Sequence, residues 1–321
     1  MKPLYNHAEF AEEGIRKVVL TSIQSYLIEF LLRLRRVFLS SRNEELDIAR
    51  ERAETMAASA FFARFKGVDR APISANGVPG EWIVPAGSTG KRCILYVHGG
   101  TFFAGNIKSH RPLAANIAVA ARTRALIIDY RLSPEHPYPA GLEDVITAYH
   151  WLREEIPPEE IAIASDSAGG ALALGLLLAL RDGGEPLPAC AVCLSPATDL
   201  TLEGETWQTN RKRDLMLEYW KMVKGLEIYL HDTDPRNPLA SPFHADLKNL
   251  PPLLIQVGSD EMLLSDSTRF AEKARAAGAD VTLEVWERMQ HEWQFAIGYL
   301  PEARQAVQQI GSFINGHLST Y

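Results

Sequence analysis

A serine stands in a short turn between two apolar stretches of the chain. The run Ile161–Ala164 reads as a buried strand, and Ala171–Leu180, which holds only Ala, Leu and Gly, reads as a buried helix. Between them lies Ser165–Gly170, with the sequence Ser-Asp-Ser-Ala-Gly-Gly. A strand, a tight turn of small residues and a helix form the setting that lifts a serine hydroxyl clear of the backbone. The pattern predicts Ser167 as a nucleophile, and a Ser/Gly-rich turn in an ordinary βα unit is the alternative.

A serine nucleophile needs a base that takes its proton and a carboxylate that orients the base. His291 follows the last predicted strand, and Asp260 follows the strand before it. The order Ser167, Asp260, His291 is the order of the triad in α/β-hydrolases. We therefore predict that Asp260 orients His291, and we rank the rival acids Glu261 and Asp266 below it.

Negative charge on a substrate carbonyl needs hydrogen-bond donors, which a glycine-rich loop after an early strand supplies. The run Cys93–Val97 reads as a buried strand, and His98-Gly99-Gly100-Thr101 follows it directly. We expect this loop, Gly99, Gly100 and Thr101, to form an oxyanion hole, with a plain turn as the alternative. We expect His98 to brace the loop by hydrogen bonds rather than to act as a second base.

The elements around these residues alternate between strands and helices, which predicts an α/β fold with a mostly parallel, doubly wound sheet of eight strands. The first two strands should form an antiparallel hairpin, because Asn76-Gly77 is a strong turn signal. The predicted strands are Val68–Ser74, Gly80–Val84, Cys93–Val97, Ala125–Asp129, Ile161–Ala164, Ala191–Leu194, Leu253–Val257 and Val281–Trp286.

Two regions fall outside this alternation. Ile15–Phe38 is predicted as an amphipathic helix, and its charged residues argue against a membrane span. Leu200–Leu250 holds no convincing strand. We expect residues 1–65 and the insertion 201–250 to form a helical cap over a catalytic domain of residues 66–200 and 251–321.

Two longer motifs make a resemblance specific. The segment Tyr130–Ala140 reads Tyr-Arg-Leu-Ser-Pro-Glu-His-Pro-Tyr-Pro-Ala, and Leu194–Leu200 reads Leu-Ser-Pro-Ala-Thr-Asp-Leu. Together with the elbow around Ser167 and the His-Gly-Gly loop, they resemble the hormone-sensitive-lipase-like branch of the α/β-hydrolases, bacterial esterases with a helical cap. The resemblance runs from about Glu45 to the C-terminus. It implies that the amides of Gly100, Thr101 and Ala168 are the oxyanion donors.

The sequence departs from that family's pattern at two positions. Thr101 stands where the family has the third glycine of its oxyanion loop, and Ser165 stands where it has the first glycine of its elbow. A backbone donor survives a side-chain change as long as its φ and ψ stay allowed. We therefore expect Thr101 to narrow the acyl pocket, and Ser165 to place extra atoms where helix and strand approach closely.

The resemblance implies a serine carboxylic-ester hydrolase that forms an acyl-enzyme, and we expect short-acyl esters as substrates. A lactone, carbamate or amide hydrolase with the same triad is the alternative. A non-catalytic receptor is a further one: the plant gibberellin receptors resemble this family but lack the catalytic histidine, which His291 supplies here. Phe102, Phe103, Trp207 and Trp293 are candidates for the substrate pocket, or equally for the core.

Composition limits the partners of the chain. A formal net charge of −7 over 321 residues, without a basic cluster, argues against nucleic acid. Nine histidines without metal-ligand spacing imply no metal, and no cofactor motif is present. Three cysteines suit a reducing compartment, so we expect a cytoplasmic protein with a small-molecule ester substrate. The apolar helix face leaves a homodimer as a candidate assembly, whereas we do not expect a membrane partner.

Overall fold

A mixed sheet of ten strands forms the centre of the protein in the computed structural model, which describes residues 9–11, 15–39, 45–62, 65–88 and 90–318. The strands are β1 (Glu9–Ala11), β2 (Ile15–Val18), β3 (Val68–Ala75), β4 (Val78–Pro85), β5 (Cys93–Val97), β6 (Arg124–Ile128), β7 (Ile161–Asp166), β8 (Cys190–Leu194), β9 (Leu253–Gly258) and β10 (Val281–Trp286). Their spatial order is β1-β2-β10-β9-β8-β7-β5-β6-β4-β3. Every neighbouring pair from β2 across to β6 is parallel.

Helices cover both faces of this sheet. They are α1 (Ile23–Leu39), α2 (Ile48–Phe62), α3 (Ile107–Ala120), α4 (Ala140–Arg153), α5 (Ala168–Asp182), α6 (Thr206–Thr209), α7 (Tyr219–Leu230), α8 (Leu264–Ala276) and α9 (Pro301–His317). The predicted α/β fold with a mostly parallel, doubly wound sheet is confirmed, but the sheet has ten strands where eight were predicted, because β1 and β2 extend it beyond β10. All eight predicted strands are present as β3–β10, with the expected hairpin of β3 and β4 across Asn76 and Gly77.

The core lies in two layers, one on each face of the sheet. Successive side chains of a strand point to opposite faces. In β5, Leu95 and Val97 join the cluster under α4, α5 and α8, whereas Ile94 and Tyr96 join the one under α3 and α9. Both faces of the central strands are therefore buried, as their continuous apolar sequences require.

The N-terminal region differs from the prediction. Ile15–Val18 is a strand that pairs in parallel with β10, so the predicted helix begins only at Ile23. The open edge of β10 presents unpaired backbone groups, and β2 satisfies them. Val18 also packs in a cluster with Trp286 and Trp293. The expectation that residues 1–65 are all part of the cap is therefore wrong for strands β1 and β2.

Helix α1 presents apolar side chains to solvent and is held by polar contacts. The Arg36 guanidinium donates to the carbonyl oxygens of Asp214 and Arg211, and Glu29 pairs with Arg288. Among the side chains of α1 that the structure describes, residues 23–36, six apolar ones are at least 40% exposed: Ile23, Tyr26, Leu27, Phe30, Leu31 and Leu34. Among the described residues, no helix combines the length and the apolar character that a membrane crossing requires.

Residues 201–250 contain α6 and α7 and no strand, as expected. An ion pair of 2.7 Å between Lys221 of α7 and Glu51 of α2 joins these two helices. Helix α7 also packs on the loop after β5, where the rings of Phe102 and Tyr229 stack with centroids 3.7 Å apart. Helices α2 and α7 thus lie together in the segments that were predicted to form the cap. The exact boundaries between the cap and the catalytic domain remain a prediction.

Candidate active site

The turn between β7 and α5 holds Ser167 in a rare backbone conformation, with φ 49° and ψ −121°. A non-glycine residue in such a conformation carries strain of about 1–3 kcal/mol, which structures tolerate mainly at functional sites. Small neighbours make the turn feasible. A Cβ on Gly169 would lie 2.3 Å from the carbonyl oxygen of Val97, and one on Gly170 would lie 2.5 Å from the Pro196 ring.

Ser165 does not obstruct this turn. Its fully buried hydroxyl points across to β8 and donates to the carbonyl oxygen of Val192 at 3.3 Å. The extra atoms expected to crowd the helix and the strand therefore occupy the gap between two strands instead.

The loop after β10 brings His291 to the nucleophile. Its Nε2 lies 3.0 Å from the Ser167 Oγ, and both side chains are about 5% exposed or less. The two residues are 124 positions apart in the chain. They meet because β7 and β10 are parallel strands of the same sheet, so that their C-terminal ends open onto the same edge.

The acid beside this histidine is Glu261, and the prediction of Asp260 is wrong. The Glu261 Oε2 lies 2.9 Å from His291 Nδ1. Its Oε1 accepts from the Ser195 hydroxyl at 2.8 Å and from the Gly258 amide at 2.6 Å. The carboxylate is fully buried, and its two oxygens meet three hydrogen-bond partners.

Asp260 turns away from the histidine because successive residues after β9 face different sides. Its carboxylate lies 3.5 Å from the Ser259 hydroxyl and 3.9 Å from the Arg213 guanidinium, near the surface. The other rival, Asp266, is buried elsewhere: it accepts from the Trp207 indole at 2.9 Å and from two backbone amides. No feature of the sequence alone distinguishes which of the two adjacent carboxylates turns inward.

The loop after β5 approaches the nucleophile closely. A Cβ on Gly99 would lie 2.9 Å from the Ser167 Cβ. The Gly99 amide donates to the Asp166 carboxylate at 2.8 Å, so it is not available for an oxyanion, and its assignment to the hole is wrong. The amides of Gly100 and Thr101 donate to no acceptor within the part of the chain that the structure describes. The Ala168 amide starts α5, where helices leave their first donors without an intrahelical partner.

Thr101 adopts a left-handed φ of 52°, and Gly100 has φ 118°. A glycine is the residue that such a φ favours, so the threonine carries strain that the family's glycine avoids. His98 braces this loop, as expected. Its Nδ1 lies 2.8 Å from the Gly99 carbonyl oxygen, and its own carbonyl oxygen accepts from the Tyr130 hydroxyl at 2.7 Å. Burial lowers the pKa of His98 to about 3, so the ring is neutral.

The similarity of the chain to known proteins agrees with this geometry. A family model for the α/β-hydrolase fold matches residues 94–295. An acetyl-hydrolase from Streptomyces hygroscopicus is 46% identical over 235 residues, which span 73% of this chain and 78% of that protein. An esterase from Acinetobacter venetianus is 39% identical over 244 residues, 75% of this chain and 80% of the relative. The crystal structure of an esterase from the bacterial hormone-sensitive lipase family has a TM-score of 0.87 at 38% identity, and the match covers 94% of this chain and all of that one.

The chain belongs to the hormone-sensitive-lipase-like esterases of the α/β-hydrolase family. The predicted family and the predicted enzyme class, ester hydrolysis, are thereby confirmed. In the esterase described here, the acid position departs from the prediction made for Asp260, since a glutamate one residue further along the chain faces the histidine.

The four aromatic residues proposed for the substrate pocket of this esterase are all buried in packing contacts. Trp207 is 1% exposed and donates its indole N–H to Asp266. Trp293 packs on Trp286 with ring centroids 5.6 Å apart, and Phe102 stacks on Tyr229. These three belong to the core, because their rings are large apolar surfaces with partners on several sides.

Phe103 takes a different position. It is also buried, but it lies beside the backbone of α7, where a Cβ on Gly225 would meet its ring at 2.7 Å and the Thr101 methyl at 2.6 Å. Met222 of α7 places its sulfur 3.7 Å from the Thr101 hydroxyl. Helix α7 therefore packs tightly on the loop that was expected to receive the oxyanion.

Carboxyl groups around the histidine of the esterase control its charge. Burial lowers the pKa of His291, whereas the negative charges that Glu292 and Glu261 carry when ionised raise it. Asp214 contributes in the same direction from the 201–250 segment. Sequence reasoning did not identify Glu292 or its partner Asp166, because each reads as an ordinary neighbour of a catalytic residue.

Proposed function

We propose that this esterase hydrolyses short-acyl carboxylic esters through an acyl-enzyme formed on Ser167. The observation that carries the proposal is the continuous hydrogen-bonded series from Ser167 to His291 at 3.0 Å and from His291 to Glu261 at 2.9 Å. This series has the nucleophile, base and acid that serine hydrolases need.

The reaction follows from these contacts. His291 Nε2 takes the hydroxyl proton while the Ser167 Oγ forms a bond to the ester carbonyl carbon. The carbonyl oxygen gains negative charge, which the amides of Gly100, Thr101 and Ala168 stabilise. The C–O bond to the alcohol then breaks, and the alcohol leaves with the proton from His291. Water repeats the same steps on the acyl-enzyme, which releases the acid and restores Ser167.

Glu261 has two effects in this sequence. It accepts the Nδ1–H of His291, so that the lone pair of the neutral ring lies on Nε2, facing Ser167. Its charge also stabilises the imidazolium that forms in each step. The Ser195 hydroxyl and the Gly258 amide fix the carboxylate, which limits the rotation of the histidine ring in turn.

The short-acyl preference rests on the contact between α7 and the oxyanion loop. Thr101 and Phe103 touch the helix at Gly225, so little free space remains beside the oxyanion donors. The Thr101 side chain occupies volume that a glycine would leave open. The acetyl-hydrolase relative, by its name, acts on the smallest common acyl group.

Covalent labelling tests the nucleophile. A fluorophosphonate should label the wild-type protein and the Ser165→Ala variant, because the Ser165 hydroxyl faces β8 and not the site. It should not label Ser167→Ala. Labelling that persists in folded Ser167→Ala, or ester hydrolysis at the wild-type rate by this variant, would overturn the proposal.

A substrate panel tests the acyl range. Nitrophenyl esters from acetyl to long-chain acids, measured beside an amide and a lactone, should show the highest kcat/KM for the short esters. A higher kcat/KM for the long-chain esters, for the amide or for the lactone would contradict the proposed substrate class.

A further inference from the structure

Two carboxyl groups meet behind the nucleophile of this esterase. Asp166 precedes Ser167 at the end of β7, and Glu292 follows His291. An oxygen of each carboxyl group lies within 4.8 Å of an oxygen of the other. Two ionised carboxylates so close together in a buried site repel each other, so one of the two groups binds a proton. The pair therefore holds one proton in the structure.

The surroundings of Asp166 identify it as the ionised member. Its oxygens face the Tyr96 hydroxyl at 2.5 Å, the Gly99 amide at 2.8 Å and His110 Nε2 at 3.3 Å. Burial opposes ionisation, but His110 and these donors outweigh it and hold the pKa of Asp166 below its ordinary value. Burial and the charge of Asp166 raise the pKa of Glu292 to about 8.

A proton suits this cluster better than a metal ion does. His110, Asp166 and Glu292 offer ligand atoms within 4.8 Å of one another, a set that divalent cations bind elsewhere. The oxygens of Asp166, however, already face the hydroxyl of Tyr96 and the amide of Gly99, whose hydrogens point at them. A cation would have to displace donors that belong to the strand and the loop.

The proton on Glu292 matters because of where this side chain lies. Its Oε1 is 3.6 Å from His291 Nε2, the atom that faces Ser167 at 3.0 Å. An ionised Glu292 would attract a proton onto Nε2 and hold it there. A histidine that is already protonated cannot take the proton of Ser167.

The backbone adds an independent observation. Glu292 has φ 56° and ψ 37°, a left-handed conformation that is uncommon for residues other than glycine and asparagine. This conformation turns the side chain of Glu292 inward, next to Asp166, at a site where strain persists mainly for function. The side chain is only 18% exposed.

Several further titratable groups face this cluster. His98 beside His110 is neutral, and Tyr96 is a phenol whose pKa burial raises well above its ordinary value. The remaining groups around His110 and His291 are Asp129, Glu261 and Asp214.

We propose that Asp166 is a positioning residue that keeps Glu292 protonated, so that His291 Nε2 remains free to accept the proton of Ser167. The inference rests on the proposed function, because it concerns the base of that reaction. It assigns to Glu292 a proton-holding role that follows from no motif in the sequence.

The pH dependence of kcat/KM tests this role. The amide of Glu292→Gln is neutral, like the protonated carboxyl group, so the acid limb of this variant should stay at the wild-type pH. In Asp166→Asn the proton is held less firmly, so the limb should move to higher pH. The double variant should return to the Glu292→Gln position. An acid limb of Glu292→Gln below the wild-type pH would mean that Glu292 is ionised in the wild-type protein and would overturn the inference. An unchanged acid limb in Asp166→Asn, or a double variant that behaves like Asp166→Asn, would overturn it as well.

Infrared spectroscopy of the resting protein tests the proton without turnover. The C=O stretching band of a protonated carboxyl group should be present at pH 7 and should lose intensity in Glu292→Gln. Glu284→Gln is the matched control: Glu284 is a buried glutamate of β10 held by Gln256, and this variant should keep the wild-type acid limb. No change of the band in Glu292→Gln would contradict the inference even if Ser167 is the nucleophile, whereas Ser167→Ala tests the proposed function alone.

Discussion

The exchange of Glu261 for glutamine is the sharpest test of the triad. The carboxamide has the size of the carboxylate but presents one acceptor oxygen and one NH₂ group. In the wild-type structure, the Oε1 position faces two donors, the Ser195 hydroxyl and the Gly258 amide, and the Oε2 position faces His291 Nδ1. The backbone amide of Gly258 cannot become an acceptor, so the carboxamide oxygen must take the Oε1 position.

The consequence for the histidine follows directly. The NH₂ group of the glutamine then faces Nδ1 and donates to it, so the neutral ring of His291 carries its proton on Nε2. This is the wrong tautomer, because Nε2 must accept the proton of Ser167. The same tautomer change in a serine protease costs about 10⁴ in kcat, which corresponds to about 5.4 kcal/mol in activation free energy at about 1.36 kcal/mol per factor of ten. We expect a loss of about 10³–10⁴ in kcat.

Steady-state kinetics on nitrophenyl acetate measures this loss, and thermal unfolding shows whether the variant is folded. Asp260→Asn is the matched control, because its carboxylate lies toward Arg213 at 3.9 Å and not toward the histidine. It should keep kcat within about threefold of wild type, because no hydrogen bond joins its carboxylate to His291 or Ser167. A folded Glu261→Gln with wild-type kcat, or an inactive Asp260→Asn, would refute the assignment of Glu261.

The other predictions concern the cap, the core and α1. Thr101→Gly should raise kcat/KM for bulkier acyl esters relative to acetate, because it removes a side chain packed on Gly225; an unchanged acyl profile would contradict the narrow pocket. Trp207→Phe should lower the free energy of unfolding by about 1–3 kcal/mol, because a buried carboxylate oxygen of Asp266 loses its donor. Denaturant unfolding measures this loss. A changed acyl preference with full stability would mean that Trp207 lines the substrate pocket. The double variant Phe30→Ser/Leu31→Ser should keep kcat and KM while it reduces the apolar surface of α1; if α1 binds membranes, only the wild-type protein should co-sediment with liposomes.

The sequence alone determined the features that depend on neighbours along the chain. A turn that exposes a serine hydroxyl needs small residues at Gly169 and Gly170, and small residues can be recognised in the amino-acid sequence. The eight central strands are short apolar runs because both of their faces are buried, and their order fixed Ser167 and His291 on one edge of the sheet. Apolar patterns and turn-forming residues depend on neighbours along the chain, so the sequence is enough to recognise them.

The tertiary structure decided everything that depends on which way a side chain turns. Asp260 and Glu261 are equivalent by position after β9, and only the direction of the backbone there brings the second one to His291. Trp207 is an aromatic residue of the predicted cap insertion and was therefore a candidate for the substrate pocket, but its indole is buried against Asp266.

The N-terminal strand β2 and the pair Asp166 and Glu292 also depend on contacts between distant parts of the chain, which sequence patterns do not predict. Ile15–Val18 has the apolar content of a helix start, yet the open edge of β10 makes it a strand. Asp166 and Glu292 lie far apart in the chain and meet only because β7 and β10 end at the same edge of the sheet. Contacts between distant segments depend on the packing of whole elements, and burial then sets the protonation of the groups that those contacts enclose.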